Sequence, residues 1–338
     1  MNPLQMELLL GKKISRRFWE NAFTSLFRGQ MSPPQMKGLL LLATKRGEDA
    51  SEFCGFIQAL RKFESAKKAS VPFLLDVCGT GGDGMKTFNI STISGFVIAG
   101  AGGYVAKHGN RAVSSKVGSS DLMEALGVRL DISFSRMLDA LHQFRFAYFH
   151  APFYHPTFLR VQAIRRELKT RTLFNALGPL VNPIELSYQV IGVSNPQWLQ
   201  PLAETLTMIK RKKSALIRSH DGMDELSTQE PNDILYVEGG KIKRDRLEPK
   251  KLGFLKAKRT DYAGGDLQTN RKVALGILRN EIRGPQQEVV LLNSGFALWL
   301  IGAAYTLQEG IERSRWAIRT GKALEVLEAF REYTNRRN

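Results

Sequence analysis

The chain has 338 residues, of which 43% are apolar and 24% charged, a composition typical of a globular protein with roughly two domains of about 150 residues. No run approaches the roughly 20 apolar residues that a membrane helix needs, and the N-terminus lacks the pattern of a secretory signal, so the sequence predicts a cytoplasmic protein without a membrane partner. Cys54 and Cys78 are too few for a disulfide framework and stand in no zinc-binding pattern, which favours two buried thiols.

The formal net charge of +17 is concentrated at the two ends of the chain. Residues 1–70 carry 12 basic and 6 acidic side chains, residues 71–240 carry 17 and 15, and residues 241–338 carry 20 and 11. Two interpretations stay open: a solvated basic face, or a surface that binds nucleic acid in a salt-dependent way. The basic clusters at 210–213 and 241–259 are not accompanied by a nucleic-acid-binding motif, which favours the solvated face.

Residues 1–66 predict a small all-helical unit. Ser15 is placed to cap a first helix that ends near Gly29, Ser32 begins a second helix, and residues 49–63 form a third. Four aromatic side chains of the first helix fit either a domain core or a dimer interface equally well: Phe18, Trp19, Phe23 and Phe27.

After the polar linker ESAKKAS, the pattern changes to alternating strands and helices. A short buried strand at 73–78 is followed by glycines, a helix over about 91–101 and a strand at 104–109. Three later segments continue the alternation, with strands at 188–193 and 214–219 and a helix at 202–209. The sequence therefore predicts an α/β fold whose sheet is covered by helices.

The segment CGTGGDGMKTFNIST, residues 78–92, joins a glycine turn to the start of a helix. Glycine has no Cβ and tolerates positive φ, so this turn allows several backbone N–H groups to converge on an anion. Asn89, Ser91 and Thr92 add polar donors where the helix N-terminus already favours phosphate. Neither common nucleotide-binding spacing is present, so the segment predicts phosphate binding of another kind.

A second polar segment follows at residues 107–121. It carries more cations and hydroxyls than a packing loop needs: Lys107, Arg111, Ser114, Ser115, Lys116 and Ser119. Together the two segments predict a ligand with more than one phosphate group, and such ligands commonly bring magnesium. Asp224 and Glu225 are the candidate metal ligands, although an isolated Asp-Glu pair is usually a solvated surface feature.

Several long motifs, in this order and spacing, resemble the anthranilate phosphoribosyltransferase family. They are CGTGGD, KHGNR, GSSD, RTLFNALGPLVNP and DGMDE, and the match is close over about residues 70–230. The resemblance implies transfer of phosphoribose from 5-phosphoribosyl 1-diphosphate (PRPP) to the amine of anthranilate in tryptophan biosynthesis. It also implies two Mg²⁺ per active site, displacement at C1 without a covalent enzyme intermediate, and a homodimer. The alternative is a nucleic-acid-binding branch of the same superfamily, which the +17 charge suggests.

The resemblance also assigns site residues. The implied PRPP site comprises Gly79, Gly82, Asp83, Thr87, Asn89, Ser91, Thr92, Lys107, Asn110, Arg111, Ser114, Ser115 and Ser119. The implied anthranilate site comprises Gly79, His108, Asn110, His155, Arg165 and Pro179, and the implied metal ligands are Ser91, Asp224 and Glu225. His108, Asn110 and Arg165 are the candidate catalytic residues; His108 fits an acid–base role and a positioning role equally well. Pro179 fits both a tunnel wall and a simple turn, and Arg165 fits both a carboxylate contact and a surface charge.

The fold implied by the resemblance has two parts. A small helical domain is formed by residues 1–66 with a returning segment near 165–185, and an α/β catalytic domain with a mixed central sheet flanked by helices is formed by residues 71–338. The resemblance also implies an active site in the cleft between them. One departure from the family pattern is the sequence IRSHDGMDE, which places Arg218 and His220 just before the acidic pair but leaves the pair intact.

Overall fold

The computed structural model describes residues 13–112, 116–158, 164, 167–168, 173–254 and 257–336. Its α-helices in chain order are α1 (Arg16–Phe27), α2 (Pro33–Arg46), α3 (Ala50–Arg61), α4 (Ile90–Gly100), α5 (Ser119–Ala125), α6 (Phe134–Phe144), α7 (Ala151–Tyr154), α8 (Leu173–Leu177), α9 (Leu199–Met208), α10 (Leu267–Leu278), α11 (Pro285–Leu300), α12 (Leu307–Arg319) and α13 (Lys322–Asn335). Its strands are β1 (Leu75–Gly79), β2 (Val105–Gly109), β3 (Phe146–His150), β4 (Tyr188–Gly192), β5 (Lys213–Ser219), β6 (Asn232–Glu238) and β7 (Lys241–Leu247).

The first and third of the N-terminal helices begin at side chains that accept hydrogen bonds from free backbone N–H groups. The Ser15 hydroxyl accepts a hydrogen bond from the Phe18 N–H at 3.3 Å. A carboxylate oxygen of Asp49 accepts from the Glu52 N–H at 2.9 Å. These contacts confirm the helix starts that the sequence predicts.

Aromatic side chains form the core of this helical region. Phe23 of α1 packs edge-on against Phe56 of α3, with ring centroids 5.0 Å apart, and Phe27 packs against Phe56 at 5.3 Å. Two rings from later in the chain, Phe158 and Phe174, also contact Phe56, at 5.7 and 5.2 Å. Of the four aromatics that fitted core or interface, Trp19, Phe23 and Phe27 are buried here and Phe18 is partly buried.

The seven described strands form one mixed sheet in the order β3-β2-β1-β4-β5-β6-β7. The strands from β3 to β5 pair in parallel, and β6 and β7 continue the sheet antiparallel as a hairpin. The α/β fold with a mixed central sheet and a helical N-terminal region is therefore confirmed. In parallel strands the carboxyl ends lie at one edge of the sheet, and that edge is where ligands of open α/β sheets bind.

Each face of the sheet packs against a different set of helices. Ile191 and Leu216 share a core with the N-terminal helices, α8 and α9. Val77, Val190 and Ile217 share the other core with α4, α11 and α13. The helical region therefore covers one face of the sheet, while the division into domains at 1–66 and 71–338 stays a prediction.

Part of the basic C-terminal stretch forms the outer strand of the sheet. β7 has the sequence KIKRDRL and is largely exposed. Charged side chains on an edge strand discourage pairing with other chains, so this placement fits the solvated basic face. None of the helices in the described part of the chain is long and apolar enough to cross a membrane.

Truncating the central ring of the aromatic cluster is expected to destabilise the protein. Phe56→Ala removes four ring contacts and leaves a buried cavity, so we expect it to lower the free energy of unfolding by about 3–5 kcal/mol. Phe63→Ala is the matched control, because this ring is 42% exposed and should cost less than half as much. Urea denaturation followed by circular dichroism measures both values. Equal losses would show that Phe56 is not the centre of this core.

Candidate active site

An acidic turn docks on two glycines at the carboxyl edge of the sheet. Gly79 ends β1 and Gly192 ends β4, and the two residues lie side by side in register. A Cβ on Gly79 would lie 2.3 Å from an Asp224 carboxylate oxygen, and one on Gly192 would lie 1.5 Å from the Asp224 carbonyl oxygen. The Gly81 N–H donates to the Asp224 carboxylate at 2.6 Å. Glycine at both strand ends therefore lets the turn carrying Asp224 lie directly on the sheet.

A buried lysine links this turn to the start of a helix. Lys107 lies on β2 with only 2% of its surface exposed, and its Nζ donates to the Val77 carbonyl at 2.6 Å and to the Ser91 hydroxyl at 3.3 Å. The Ser91 N–H donates to a Glu225 carboxylate oxygen at 3.1 Å. One network thus joins Lys107, Ser91 and Glu225. Along the chain, 16 positions separate Ser91 from Lys107 and 134 positions separate it from Glu225.

Three carboxyl groups meet beside this network. Burial raises the pKa of Asp224 well above its ordinary value, and repulsion from Asp83 and Glu225 raises it further. Burial raises the pKa of Glu225 to about 7, although Lys107 and the Ser91 hydrogen bonds act in the opposite direction. One Asp83 carboxylate oxygen, Oδ2, is buried without a hydrogen-bond partner among the described residues. These three carboxyl groups have too little positive charge near them, so a divalent cation would stabilise their ionised forms.

The donor set also fits the kind of metal that the sequence predicts. Within the described ranges, no three His, Cys, Asp or Glu side chains form a cluster that would hold a metal ion by themselves. Mg²⁺ is commonly held by one or two carboxylates together with substrate phosphates and water. Asp224, Glu225 and the Ser91 hydroxyl fit such a partial site, which needs a phosphate-bearing ligand to complete it.

The helix N-terminus next to the glycine turn carries free polar atoms. Asn89 precedes α4, and its amide nitrogen donates to the Val117 carbonyl at 3.2 Å. The Asn89 Oδ1 and the Thr92 hydroxyl are buried and find no partner in the part of the chain that the structure describes. Thr87 forms an isolated antiparallel bridge with Ala263, so the segment around residue 263 covers this loop. The site therefore combines a helix N-terminus with a covered glycine turn, an arrangement suited to an anion.

Two histidines and a proline turn lie on the other side of Lys107. The His108 Nδ1 donates to the Gly178 carbonyl at 3.2 Å, because a carbonyl oxygen can only accept. The His108 and His155 rings meet edge to face, 5.1 Å apart. Burial lowers the pKa of His108 well below its ordinary value, and repulsion from His155 adds to this effect. The carbonyl of Pro179 accepts from the Gln189 side-chain amide at 2.5 Å, which ties the proline turn to β4.

Some of the residues predicted for the site are engaged in other contacts or lie outside the described residues. The Arg111 guanidinium binds Glu124 at 2.5 and 2.8 Å and Asp121 at 3.3 Å, so its charge is engaged on α5. The Asn110 side chain accepts from the Arg111 N–H at 2.7 Å, and Ser119 hydrogen-bonds the Asn110 backbone. His220, which departs from the family pattern, pairs with Asp233 at 3.0 Å. Ser114, Ser115 and Arg165 lie outside the described residues.

Two residues that the sequence does not predict organise this region. Asp76 is fully buried on β1 and accepts from the His108 N–H at 3.4 Å and from the Asn182 amide at 3.2 Å. Glu64 accepts from His155 Nδ1 at 2.6 Å. Both residues depend on partners tens of residues away, and an acid in the linker ESAKKAS carries no local signal for such a contact.

Comparison with known proteins gives the family. A model described as "Glycosyl transferase family, a/b domain" matches residues 72–324. The chain is 40% identical to the anthranilate phosphoribosyltransferase of Persephonella marina, over 96% of each chain. It is 38% identical to that of Bacillus mycoides, over 97% of this chain and 96% of the relative. The chain belongs to the anthranilate phosphoribosyltransferase family. It is therefore a transferase of the kind that its motifs indicate.

Solved structures agree with this family over almost the whole fold. The anthranilate phosphoribosyltransferase (TrpD) of Thermus thermophilus matches with a TM-score of 0.91 at 33% identity, covering 99% of this chain and 100% of that one. The Saccharomyces cerevisiae enzyme in complex with PRPP and Mg matches with a TM-score of 0.90 at 24% identity, covering 98% and 96%. The likeness to the yeast enzyme, at this identity, concerns the fold alone.

Adding a methyl group at the end of β4 is expected to displace the acidic turn. In Gly192→Ala the new Cβ would meet the backbone of Asp224, which cannot move aside like a flexible side chain, so we expect a clear fall in melting temperature. Gly178→Ala is the control, because its Cβ would meet nothing within 4 Å among the described atoms and its φ is not positive. Thermal unfolding by circular dichroism compares the two. A Gly192→Ala protein as stable as Gly178→Ala would contradict the close docking.

Proposed function

We propose that this protein transfers the phosphoribosyl group of PRPP to the amine of anthranilate, giving N-(5-phosphoribosyl)anthranilate and pyrophosphate, in tryptophan biosynthesis. The observation that carries the proposal is the network of Lys107, Ser91 and Glu225 at the carboxyl edge of the sheet. It brings together a buried cation, a helix N-terminus and an acidic side chain, which supports the proposal. A sugar with phosphate at one end and diphosphate at the other needs this combination of charges.

The glycine turn and the helix start would hold PRPP. Backbone N–H groups after β1, the side chains at the start of α4 and the Lys107 ammonium supply the positive ends of dipoles and one full charge. The proposed PRPP ligands are Gly79, Gly82, Asp83, Thr87, Asn89, Ser91, Thr92, Lys107, Asn110, Arg111, Ser114, Ser115 and Ser119. Arg111 would first exchange its exposed ion pair with Glu124 for a phosphate, which costs little because exposed ion pairs are weak.

Magnesium would be held by Asp224, Glu225 and the Ser91 hydroxyl. Bound there, two Mg²⁺ per site would neutralise charge that develops on the diphosphate oxygens as the diphosphate leaves. The surplus of buried negative charge at Asp83, Asp224 and Glu225 supports this role, because a cation makes their ionised forms tolerable.

The reaction needs placement more than a reactive side chain. The amine lone pair forms the C1–N bond while the C1–O bond breaks and its electron pair leaves with diphosphate. The ring oxygen of the ribose stabilises the developing positive charge, and we propose that the displacement proceeds without a covalent enzyme intermediate. The protein contributes orientation and electrostatic stabilisation at the leaving group.

Anthranilate would occupy the side of the site that carries the histidines. His108 and His155 meet there, next to the Pro179 turn. The proposed anthranilate ligands are Gly79, His108, Asn110, His155, Arg165 and Pro179. Of these we assign Arg165 to the carboxylate, because a guanidinium binds a carboxylate through two parallel hydrogen bonds. His108, Asn110 and Arg165 are the proposed catalytic residues.

Two further parts of the proposal rest on the sequence. A homodimer is proposed from the family resemblance. The nucleic-acid alternative rests on the net charge of +17, and the exposed basic edge strand β7 is equally compatible with a solvated face. The names of the relatives described above favour the transferase.

Removing the acidic pair is expected to abolish turnover. In the double variant Asp224→Ala/Glu225→Ala the diphosphate loses its metal anchor, so we expect magnesium-dependent consumption of PRPP to fall by at least about 100-fold. The loss of anthranilate fluorescence on mixing with PRPP and MgCl₂ measures the rate, with other aromatic amines and acids as controls for the acceptor. Glu312→Gln, an exposed acid on α12, should react at the wild-type rate. Normal turnover by the double variant would remove the pair from the metal role.

Replacing the proposed carboxylate ligand is expected to affect one substrate more than the other. Arg165→Ala removes a charged hydrogen-bonding partner worth about 1.5–3 kcal/mol, so the KM for anthranilate should rise about 10- to 150-fold. The KM for PRPP should change less than threefold, by about 0.6 kcal/mol or less. Steady-state kinetics with each substrate varied in turn gives both values. Equal increases for the two substrates would contradict the assignment.

A further inference from the structure

Glu64 connects the end of the N-terminal helices to the histidine side of the site. It lies three residues after α3, and its side chain is 13% exposed. One carboxylate oxygen accepts from His155 Nδ1 at 2.6 Å. The other accepts from the Thr157 N–H at 3.0 Å and from the Thr157 hydroxyl. Three donors therefore converge on one carboxylate.

These contacts determine where the proton of His155 lies. Burial disfavours the ionised form of Glu64, but the hydrogen bonds from His155 and Thr157 outweigh it, and the pKa of Glu64 is lowered. An ionised carboxylate can only accept, so His155 Nδ1 carries a hydrogen, and in the neutral form of the ring the lone pair is on Nε2. That Nε2 is buried and has no hydrogen-bond partner among the residues that the structure describes.

His108 has the same tautomer but a different electrostatic environment. Its Nδ1 donates to a backbone carbonyl, which offers a dipole and no full charge. Burial lowers its pKa strongly, and His155 and Lys107 oppose a positive charge on it. His155 instead has a carboxylate at Nδ1 that can stabilise an imidazolium, as in other carboxylate–imidazole pairs. Of the two rings, His155 is therefore the better proton acceptor.

The position of His155 suits that task. Its ring meets His108 edge to face at 5.1 Å and stacks on Phe158 at 5.2 Å. Since Nδ1 is fixed on Glu64, Nε2 lies on the opposite side of the ring from the carboxylate. The free lone pair thus lies beside the histidines and aromatic rings where the aromatic acceptor is proposed to bind.

We propose that Glu64 is a positioning residue that makes His155 the acceptor of the proton released by the attacking amine. The inference rests on the proposed function and assigns the base within that site. As the C1–N bond forms and the C1–O bond breaks, the N–H bond electrons stay on nitrogen and the proton passes to His155 Nε2. The imidazolium is then neutralised by Glu64, while diphosphate leaves with the electron pair of the broken bond.

A small cavity behind the pair gives the proton a way out. It has a volume of about 50 Å³ and is lined by both Glu64 and His155. At roughly 10–15 Å³ per water, such a space admits about three to five water molecules. The other titratable side chains that line this cavity are Arg61, Tyr154, Glu185 and Arg211, and His108 contacts His155 from β2.

The test compares Glu64→Gln with Glu64→Asp. Glu64→Gln keeps the shape and removes the charge, so kcat should fall about 10- to 100-fold while the KM for PRPP stays within about twofold. Glu64→Asp keeps the carboxylate and should retain more of kcat. Glu20→Gln, which lies on α1 and pairs with Lys62, is the matched control and should match the wild type.

A second measurement does not depend on turnover. The His155 Nδ1–H proton resonance, recorded by NMR in the protein without substrates, should move upfield in Glu64→Gln, because a hydrogen bond to a charged carboxylate is stronger than one to a neutral amide. An unchanged Nδ1–H resonance, or a loss of kcat that is equal in Glu64→Gln and Glu64→Asp, would overturn the role of Glu64. Absence of turnover in the wild-type protein, by contrast, would overturn the proposed function, and the Nδ1–H resonance would still show whether Glu64 holds His155.

Discussion

The site depends on the direct contact of Asp224 with the ends of two strands, β1 and β4. β1 and β4 finish side by side at Gly79 and Gly192, and neither residue leaves room there for a side chain. The acidic turn can therefore approach the sheet closely enough for Glu225 to reach the first turn of α4. Everything else in the proposed metal and phosphate site is arranged around that contact.

This contact brings buried negative charges together, and the fold compensates them only in part. Three carboxyl groups are brought into a buried space with one lysine, and burial raises the pKa of Asp224 and Glu225 as a result. The Lys107 ammonium offsets part of this negative charge, and it lies between the Val77 carbonyl and the Ser91 hydroxyl. The negative charge that remains uncompensated is suited to a ligand that carries a cation. It therefore favours the binding of a metal–diphosphate over free diphosphate.

The sequence allowed prediction of those features whose causes are local. Capping predicts the helix starts at Ser15 and Asp49, burial predicts the strand β1, and backbone freedom predicts the glycine turn after it. The structure has all of these features within a few residues of the predicted positions. The motif resemblance gave Lys107 and the acidic pair. Side-chain partners over long distances could not be predicted, because pattern and propensity carry no information on them. The ion pair of Arg111 with Glu124 and the contact of Glu64 with His155 are two such cases.

The two histidines show how much depends on such distant partners. By sequence, His108 is the more conspicuous ring, because it stands within the ligand-rich segment KHGNR. In the fold, burial, the neighbouring His155 ring and the Lys107 charge favour its neutral form, and the hydrogen bond to the Gly178 carbonyl only partly opposes them. His155 is less conspicuous but is backed by a carboxylate from the linker of the helical region. The residue proposed to accept a proton is thus distinguished by the hydrogen bond from its Nδ1 to Glu64 and not by its motif, and that bond connects the histidine side of the site to the end of the N-terminal helices.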